Sequence, residues 1–187
     1  NQVILISGGT SGIGRAVVEL FLSCGWRVAT FSADANKVNT LRRELTTKFN
    51  KRQFLVGKAN VKDQASLKRF VGLVQRTFKH VDVLANNAGY GYFISADMID
   101  VAKYRDMLEV NVIGLATLTK LLLPSMKKRK RGLIINTASI TGRPPVLPWS
   151  EFYAATKFAV MGWSDGLRAE LRPFGIGVST ICPGVVD

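Results

Sequence analysis

A tyrosine and a lysine, Tyr153 and Lys157, stand four residues apart in the stretch SEFYAATKF. In a helix, positions i and i+4 share one face. A phenol ionises near pH 10 and is a poor acid or base at neutrality. An ammonium one turn away lowers that value by its charge, and a depressed phenol can both donate and accept a proton. Ala154 and Ala155 keep the surface beside the pair open. The same spacing also fits a solvent-facing Tyr and Lys on an amphipathic helix, so the pair alone does not separate the two readings.

Other stretches carry chemistry of their own. SGGTSGIG holds Gly8, Gly12 and Gly14. Such a turn lets backbone N–H groups approach a phosphate, and a helix starting there adds positive potential. The turn lacks the Lys-Ser/Thr of a triphosphate loop. FSAD brings an acid, Asp34, after an apolar run, where an acid commonly meets an adenosine ribose. NNAG, Asn86 to Gly89, offers two amides and close backbone approach, or is a plain strand exit. Ser139 lies in NTASITG without a nucleophile elbow. His80 is the single histidine, so His-based triads and metal sites lack raw material, and no metal is expected.

Alternating elements must position these residues. QVILIS, WRVATF, RQFLVGK, VDVLAN, GLIINTAS and GIGVSTIC read as six strands. Between them fall helical patterns: Ile13, Val17, Leu20, Phe21 and Cys24; Val38, Leu41, Leu45 and Phe49; Leu67, Phe70, Val71, Val74 and Phe78. A helical region runs from about Asp97 to Met126 with a break near Val110, and another from Glu151 to Arg172, closed by Pro173. Strands alternating with helices predict an α/β fold: a doubly wound parallel sheet with helices on both faces. The 187 residues suit one domain, 1–187. No uninterrupted run of eighteen apolar residues indicates a transmembrane span, and the N-terminus does not read as a signal peptide.

Cys24 and Cys182 are expected to be buried free thiols, which fits a reduced, intracellular and cytoplasmic setting. Lys and Arg number 26 against 13 acids, a net charge of +13. The densest run, Lys127 to Arg131, reads as a solvated loop at a helix C-terminus, where cations suit the dipole. The overall excess predicts attraction to polyanions, a phosphate-rich cofactor included. It leaves peripheral contact with a membrane surface open. No recognition helix, zinc site or stacking platform accompanies the charge, so nucleic acid is not the expected partner.

Taken in order, these stretches resemble the short-chain dehydrogenase/reductase family over nearly the whole chain. SGGTSGIG resembles its cofactor-binding glycine motif, with Ser7 where Thr is usual, and NNAG its fourth-strand motif. Asn111 in EVNVIG, Ser139, Tyr153 and Lys157 match its catalytic tetrad, and Pro183-Gly184 the turn after the sixth strand. The resemblance implies a Rossmann fold that binds NAD(H) or NADP(H) and interconverts alcohols and carbonyls. Tyr153 would exchange the proton with the substrate oxygen, Ser139 would hydrogen-bond that oxygen, and Lys157 would hold the nicotinamide ribose and lower the Tyr153 pKa. Asn111 would anchor a water that links Lys157 to a proton path. Gly8, Ser11, Gly12, Ile13, Gly14, Asn87, Ala88 and Gly89 would line the cofactor, with Ser32, Asn60, Val61, Pro183 and Gly184. Asn60 stands where the family often has Asp. Ser32 occupies the Asp position of NAD-preferring members and Ala33 a common Arg position of NADP-preferring ones. Without the repelling acid, NADP(H) is the expected cofactor and NAD the alternative.

The Ser139–Tyr153 segment is one residue longer than usual in the family, and holds Pro144, Pro145, Pro148 and Trp149. The family normally continues past this point with a substrate-covering loop and a seventh strand. Tyr90, Tyr92, Phe93, Val146, Leu147 and Trp149 suggest a hydrophobic ketone or alcohol of lipid, steroid or retinoid type, or else only pack loops. Family members often form dimers or tetramers through the helices at about 98–126 and 151–172. The rival to an oxidoreductase is a non-catalytic nucleotide sensor on the same fold.

Overall fold

The computed structural model describes residues 2–185; Asn1, Val186 and Asp187, the ends of the expected domain, lie outside them. Six parallel strands form one sheet: β1 Val3–Ser7, β2 Arg27–Ser32, β3 Phe54–Lys58, β4 Val83–Asn86, β5 Gly132–Thr137 and β6 Ile176–Ile181. Their spatial order is β3-β2-β1-β4-β5-β6. The order reverses beside β1, and ligands of such sheets gather there, beyond the carboxyl ends of the strands. Register is set by short apolar runs, with Ile4 opposite both Val28 and Val83.

Two helices, α1 Gly12–Ser23 and α2 Ala35–Lys48, cover one face. Their Val18, Leu22, Val38, Leu41 and Leu45 pack on Ile4 and Ile6. The other face carries α3 Gln64–Phe78, α5 Leu115–Arg129 and α6 Glu151–Leu171. There Phe70, Val74, Leu118, Leu122, Leu167 and Leu171 pack on Val3 and Leu5. Alternate residues of β1 thus feed two cores, which is why its five residues are all buried.

Three details depart from expectation. The region 97–126 is a 3-10 turn, Ala96–Met98, then α4 Val101–Leu108, a π turn Glu109–Gly114 and α5. The break near Val110 is therefore a widened turn inside a continuous helix. Val101–Arg129 is long and apolar enough in length and composition to cross a membrane, although no uninterrupted apolar run marks it. It packs in the fold instead, with Leu118, Leu122 and Met126 in the core. In α1 the buried stripe is Gly14, Val18 and Leu22, while Leu20 is 59% exposed. The helix presses its glycine against the sheet, and that rotates the stripe by one position. Cys24 is consequently exposed and Cys182 half-buried; both are free thiols, but neither is fully buried.

Candidate active site

β1 ends at Ser7, whose hydroxyl accepts hydrogen bonds from the backbone N–H groups of Asn87 and Ala88, each at 3.0 Å. That single side chain clamps the exits of β1 and β4 together. Gly8 follows with φ +69°, and a Cβ there would lie 3.0 Å from the Ala88 backbone. At Gly14 a Cβ would lie 2.5 Å from the Asn87 amide nitrogen. Both positions therefore require glycine. Ser11 begins α1 without a side-chain cap, and no acid stands in the first turn. The helix N-terminus keeps its N–H groups directed at the cleft, a ready site for an anion.

A cavity of about 440 Å³ opens above these strand ends. Gly8, Ser11, Gly12, Ile13, Asn87, Ala88 and Gly89 form one wall, with Ser32 at its far end. Ser139, Tyr153, Lys157, Pro183 and Gly184 form the other. A second hollow beside Ser32 is lined by Asn60, Val61, Ala88 and Val110 and is largely apolar. Gly14, expected at the cofactor, and Asn111, expected in the catalytic tetrad, do not line the cavity but lie behind its wall. Gly14 supports Gly8 and Asn87, and Asn111 supports Gly89 and Tyr90.

Asp34 does not face the cavity. Its carboxylate caps α2, accepting from Asn36 N at 2.8 Å and Lys37 N at 3.2 Å. No carboxylate lines either hollow among the described residues, whereas Lys37 lines the main one next to Ser32. Lys37 escaped the sequence reading because it belongs to the first turn of α2, beyond the positions where a cation was sought. Thr10 and Thr137 were missed in the same way.

The catalytic candidates converge on the opposite wall. The Ser139 hydroxyl accepts from Thr141 N at 3.2 Å and from the Thr141 hydroxyl at 2.9 Å. With its acceptor sites taken, its own proton is left to donate, and it shares the cavity wall with the Tyr153 phenol. The phenol ring meets Phe93 edge-on, centroids 5.3 Å apart. Burial raises the Tyr153 pKa above its usual 10, and the Ser139 hydroxyl offsets this only in part. The expected depression by Lys157 is therefore absent in the free chain. Lys157 Nζ sits 5.6 Å from the ring centroid and donates to Thr137 O at 2.9 Å. Its own pKa falls to about 8, because burial disfavours the ammonium.

Asn111 lies in the π turn and is buried. Its amide donates to Tyr90 O and to the Thr156 hydroxyl, and accepts from Tyr90 N, all at 3.0 Å. Thr156 in turn donates to Tyr153 O at 2.8 Å. The π turn thus locks the Tyr90 loop to the helix that carries Tyr153. Thr156 was also missed, since a threonine between Tyr and Lys gives no signal until its partner across the fold is known.

A further hollow, about 450 Å³, adjoins Ser139 and is lined by Ile140, Thr141, Arg143, Pro144, Pro145, Leu147 and Cys182. Phe93, Leu147 and Trp149, on the loops around the site, are each at least 60% exposed. Tyr90 instead donates its hydroxyl to Asp106 at 2.8 Å, and Tyr92 packs under Lys103.

The comparisons agree with this geometry. The family model described as short chain dehydrogenase matches residues 2–187. The chain is 34% identical over 190 residues to "Dehydrogenase/reductase SDR family member 7B" of Mus musculus, covering 100% of this chain and 58% of that protein. It is 31% identical over 185 residues to "Serine 3-dehydrogenase" of Rhizobium radiobacter, covering 98% of this chain and 72% of that protein. Among solved structures, a metagenomic short-chain oxidoreductase in complex with NADP superposes with a TM-score of 0.88 at 28% identity, over 99% of this chain and 83% of that one. The chain thus spans little more than half the length of the mouse relative. With the glycine turn, the parallel sheet and the convergence of Ser139, Tyr153 and Lys157, these matches place the chain in the short-chain dehydrogenase/reductase family.

Proposed function

We propose that the protein transfers hydride between NADP(H) and a carbonyl or alcohol, working as a reductase of apolar ketones. The observation that carries this reading is the convergence of Ser139, Tyr153 and Lys157 on one cavity that the glycine turn also lines. The nicotinamide would supply the hydride. Ser139 would turn its free proton toward the substrate oxygen, and Tyr153 would donate the proton that completes the alcohol. A phenol that stays protonated through neutrality suits the donor role, hence the reductive direction. Lys157 would carry its charge beside the cofactor ribose and approach the phenol as the site fills. Both Asn111 amide protons are engaged, so a water toward Lys157 would rest on the second lone pair of the Asn111 oxygen or on a backbone carbonyl released by the π turn.

The lining supports NADP(H) over NAD(H). Lys37 beside Ser32, with no carboxylate lining the hollow among the described residues, is a cationic seat for a 2′-phosphate. Lys37→Ala is expected to raise the dissociation constant for NADPH about tenfold and to leave that for NADH nearly unchanged, read by fluorescence titration; equal effects on both would remove Lys37 from the phosphate site. Exposed Phe93, Leu147 and Trp149 support an apolar substrate. Turnover of a panel of apolar ketones with NADPH tests the activity. Tyr153→Phe should abolish turnover while cofactor binding persists. Unchanged turnover in that variant would refute the mechanism and favour a nucleotide sensor. Two free thiols support a reducing compartment, and exposed Ile113 and Phe158 on the long helices support a homodimer or tetramer.

A further inference from the structure

In a parallel sheet every helix-to-strand connection emerges at one end, here the end away from the cofactor cleft. Five such connections occur, those leading into β2, β3, β4, β5 and β6. Together with the last two residues of the helices that feed them, they carry eight exposed cations for which no ion pair is formed among the described residues. These are Lys48, Lys51 and Arg52 before β3, Lys79 before β4, Lys128, Lys130 and Arg131 before β5, and Arg172 before β6.

The same segments contain two carboxylates, and both are neutralised. Asp82 is buried and accepts from Val3 N at 2.9 Å and Arg129 at 3.0 Å, with His80 at 3.2 Å. Glu170 pairs with Lys127 at 3.0 Å. Five helix C-termini also converge here, each worth about half a negative charge. Their sum, about −2.5, leaves the eight cations dominant. The run Lys127–Arg131 is therefore part of a face assembled by topology from four separate stretches of sequence. Capping one helix dipole cannot account for the other three.

We propose that this end of the molecule docks on an anionic phospholipid bilayer. Charge complementarity is the first ground: each Lys or Arg near such a surface is worth roughly fivefold in binding. Phe174 is the second. It stands exposed on the turn Arg172–Phe174, with Lys127 Nζ 4.6 Å above its ring. An aromatic ring flanked by lysines suits the headgroup boundary. A nucleic acid fits less well. Helix N-termini, whose N–H groups bind phosphates, point to the opposite end, and among the described residues no helix or ribbon projects to enter a groove.

Sedimentation of the protein with phosphatidylcholine vesicles, with and without phosphatidylserine, tests this. Binding is expected with the anionic vesicles only. It should disappear as salt rises from about 0.1 M to about 1 M and the screening length falls from about 10 Å to about 3 Å. Neutralising Lys128, Lys130, Arg131 and Arg172 to Gln should weaken it by several hundredfold, on the order of 600. Lys51→Gln with Arg52→Gln, on a different connection, should act in the same direction and guards against local misfolding of the first variant. Phe174→Ser should weaken vesicle binding several-fold and leave affinity for duplex DNA unchanged. Equal binding to neutral vesicles, or vesicle binding untouched by both sets of Gln substitutions, would overturn the proposal. Tighter binding to duplex DNA than to anionic vesicles at matched salt, with no effect of Phe174→Ser, would assign the face to nucleic acid.

Discussion

Lys157 is pulled two ways: burial drives off its proton near pH 8, while the proposed reaction wants its charge. This has a consequence for stability. In the unfolded chain the lysine keeps its proton to about 10.5; in the fold it loses it near 8. Between those values the unfolded state binds more protons, so unfolding free energy rises with pH across that window. The full rise is about 3 kcal/mol, and at neutral pH that stability is withheld. Urea denaturation at a series of pH values should show the rise, and Lys157→Met should flatten it and be the more stable protein at pH 7. A variant with the same slope as the parent would mean the burial of this ammonium costs little. At this scale the Tyr153–Lys157 spacing and the family resemblance of Ser139 pointed to residues that line one cavity. The sequence could not reveal that Thr141 occupies the Ser139 acceptors or that Ser7 clamps two strands, since both depend on which hydroxyl turns where.

Among the elements, the exits of β4 and β5 are joined by a buried polar ladder. The Asn86 amide donates to Thr119 at 3.0 Å and to Asn136 at 2.8 Å, and Asn136 donates to Ser164 at 2.9 Å. The ladder crosses the sheet from α5 to α6 in a region without water-facing alternatives. Asn86→Ala would leave the Asn136 oxygen buried without that donor, at a cost of about 2–3 kcal/mol. Thermal or urea unfolding checks this, and cofactor affinity should move far less than stability. In sequence, Asn86 and Asn87 look equivalent. Only the pleat tells them apart, since neighbouring side chains of a strand end point to opposite faces. One goes to the core ladder and the other to the glycine turn. The strands themselves were legible as short apolar runs, and fold as strands of four to six residues. The π turn was legible only as a break, because one extra residue per turn leaves no periodicity to detect in a single turn.

For the whole molecule, doubly wound architecture could be read from the alternation of patterns, and the strand order confirms it. Association was expected only from the family resemblance, because apolar residues on α4, α5 and α6 serve the core and the surface at once. Ile113 and Phe158 remain 50% and 41% exposed on these helices. Sedimentation equilibrium should give a dimer or tetramer mass that Ile113→Lys shifts toward monomer; a monomeric parent protein would leave these residues as ordinary surface. The sum of charge was likewise plain in the sequence, but its concentration at one end was not. Segments as distant as Lys48 and Arg172 meet there only after folding.

The parallel sheet gives the molecule a head and a tail. The glycine turn, α1 and Tyr153 crown the ends where the strands finish, and the lysine-rich connections surround the ends where they begin. A protein resting on lipid by its tail would hold its cleft upright, open to bulk water. The dinucleotide would come and go without crossing the repulsive field of the bilayer. A ketone dissolved in that bilayer would have to leave it and travel the height of the domain to be reduced. Such a posture suits substrates that partition sparingly into water and disfavours those that never leave the lipid.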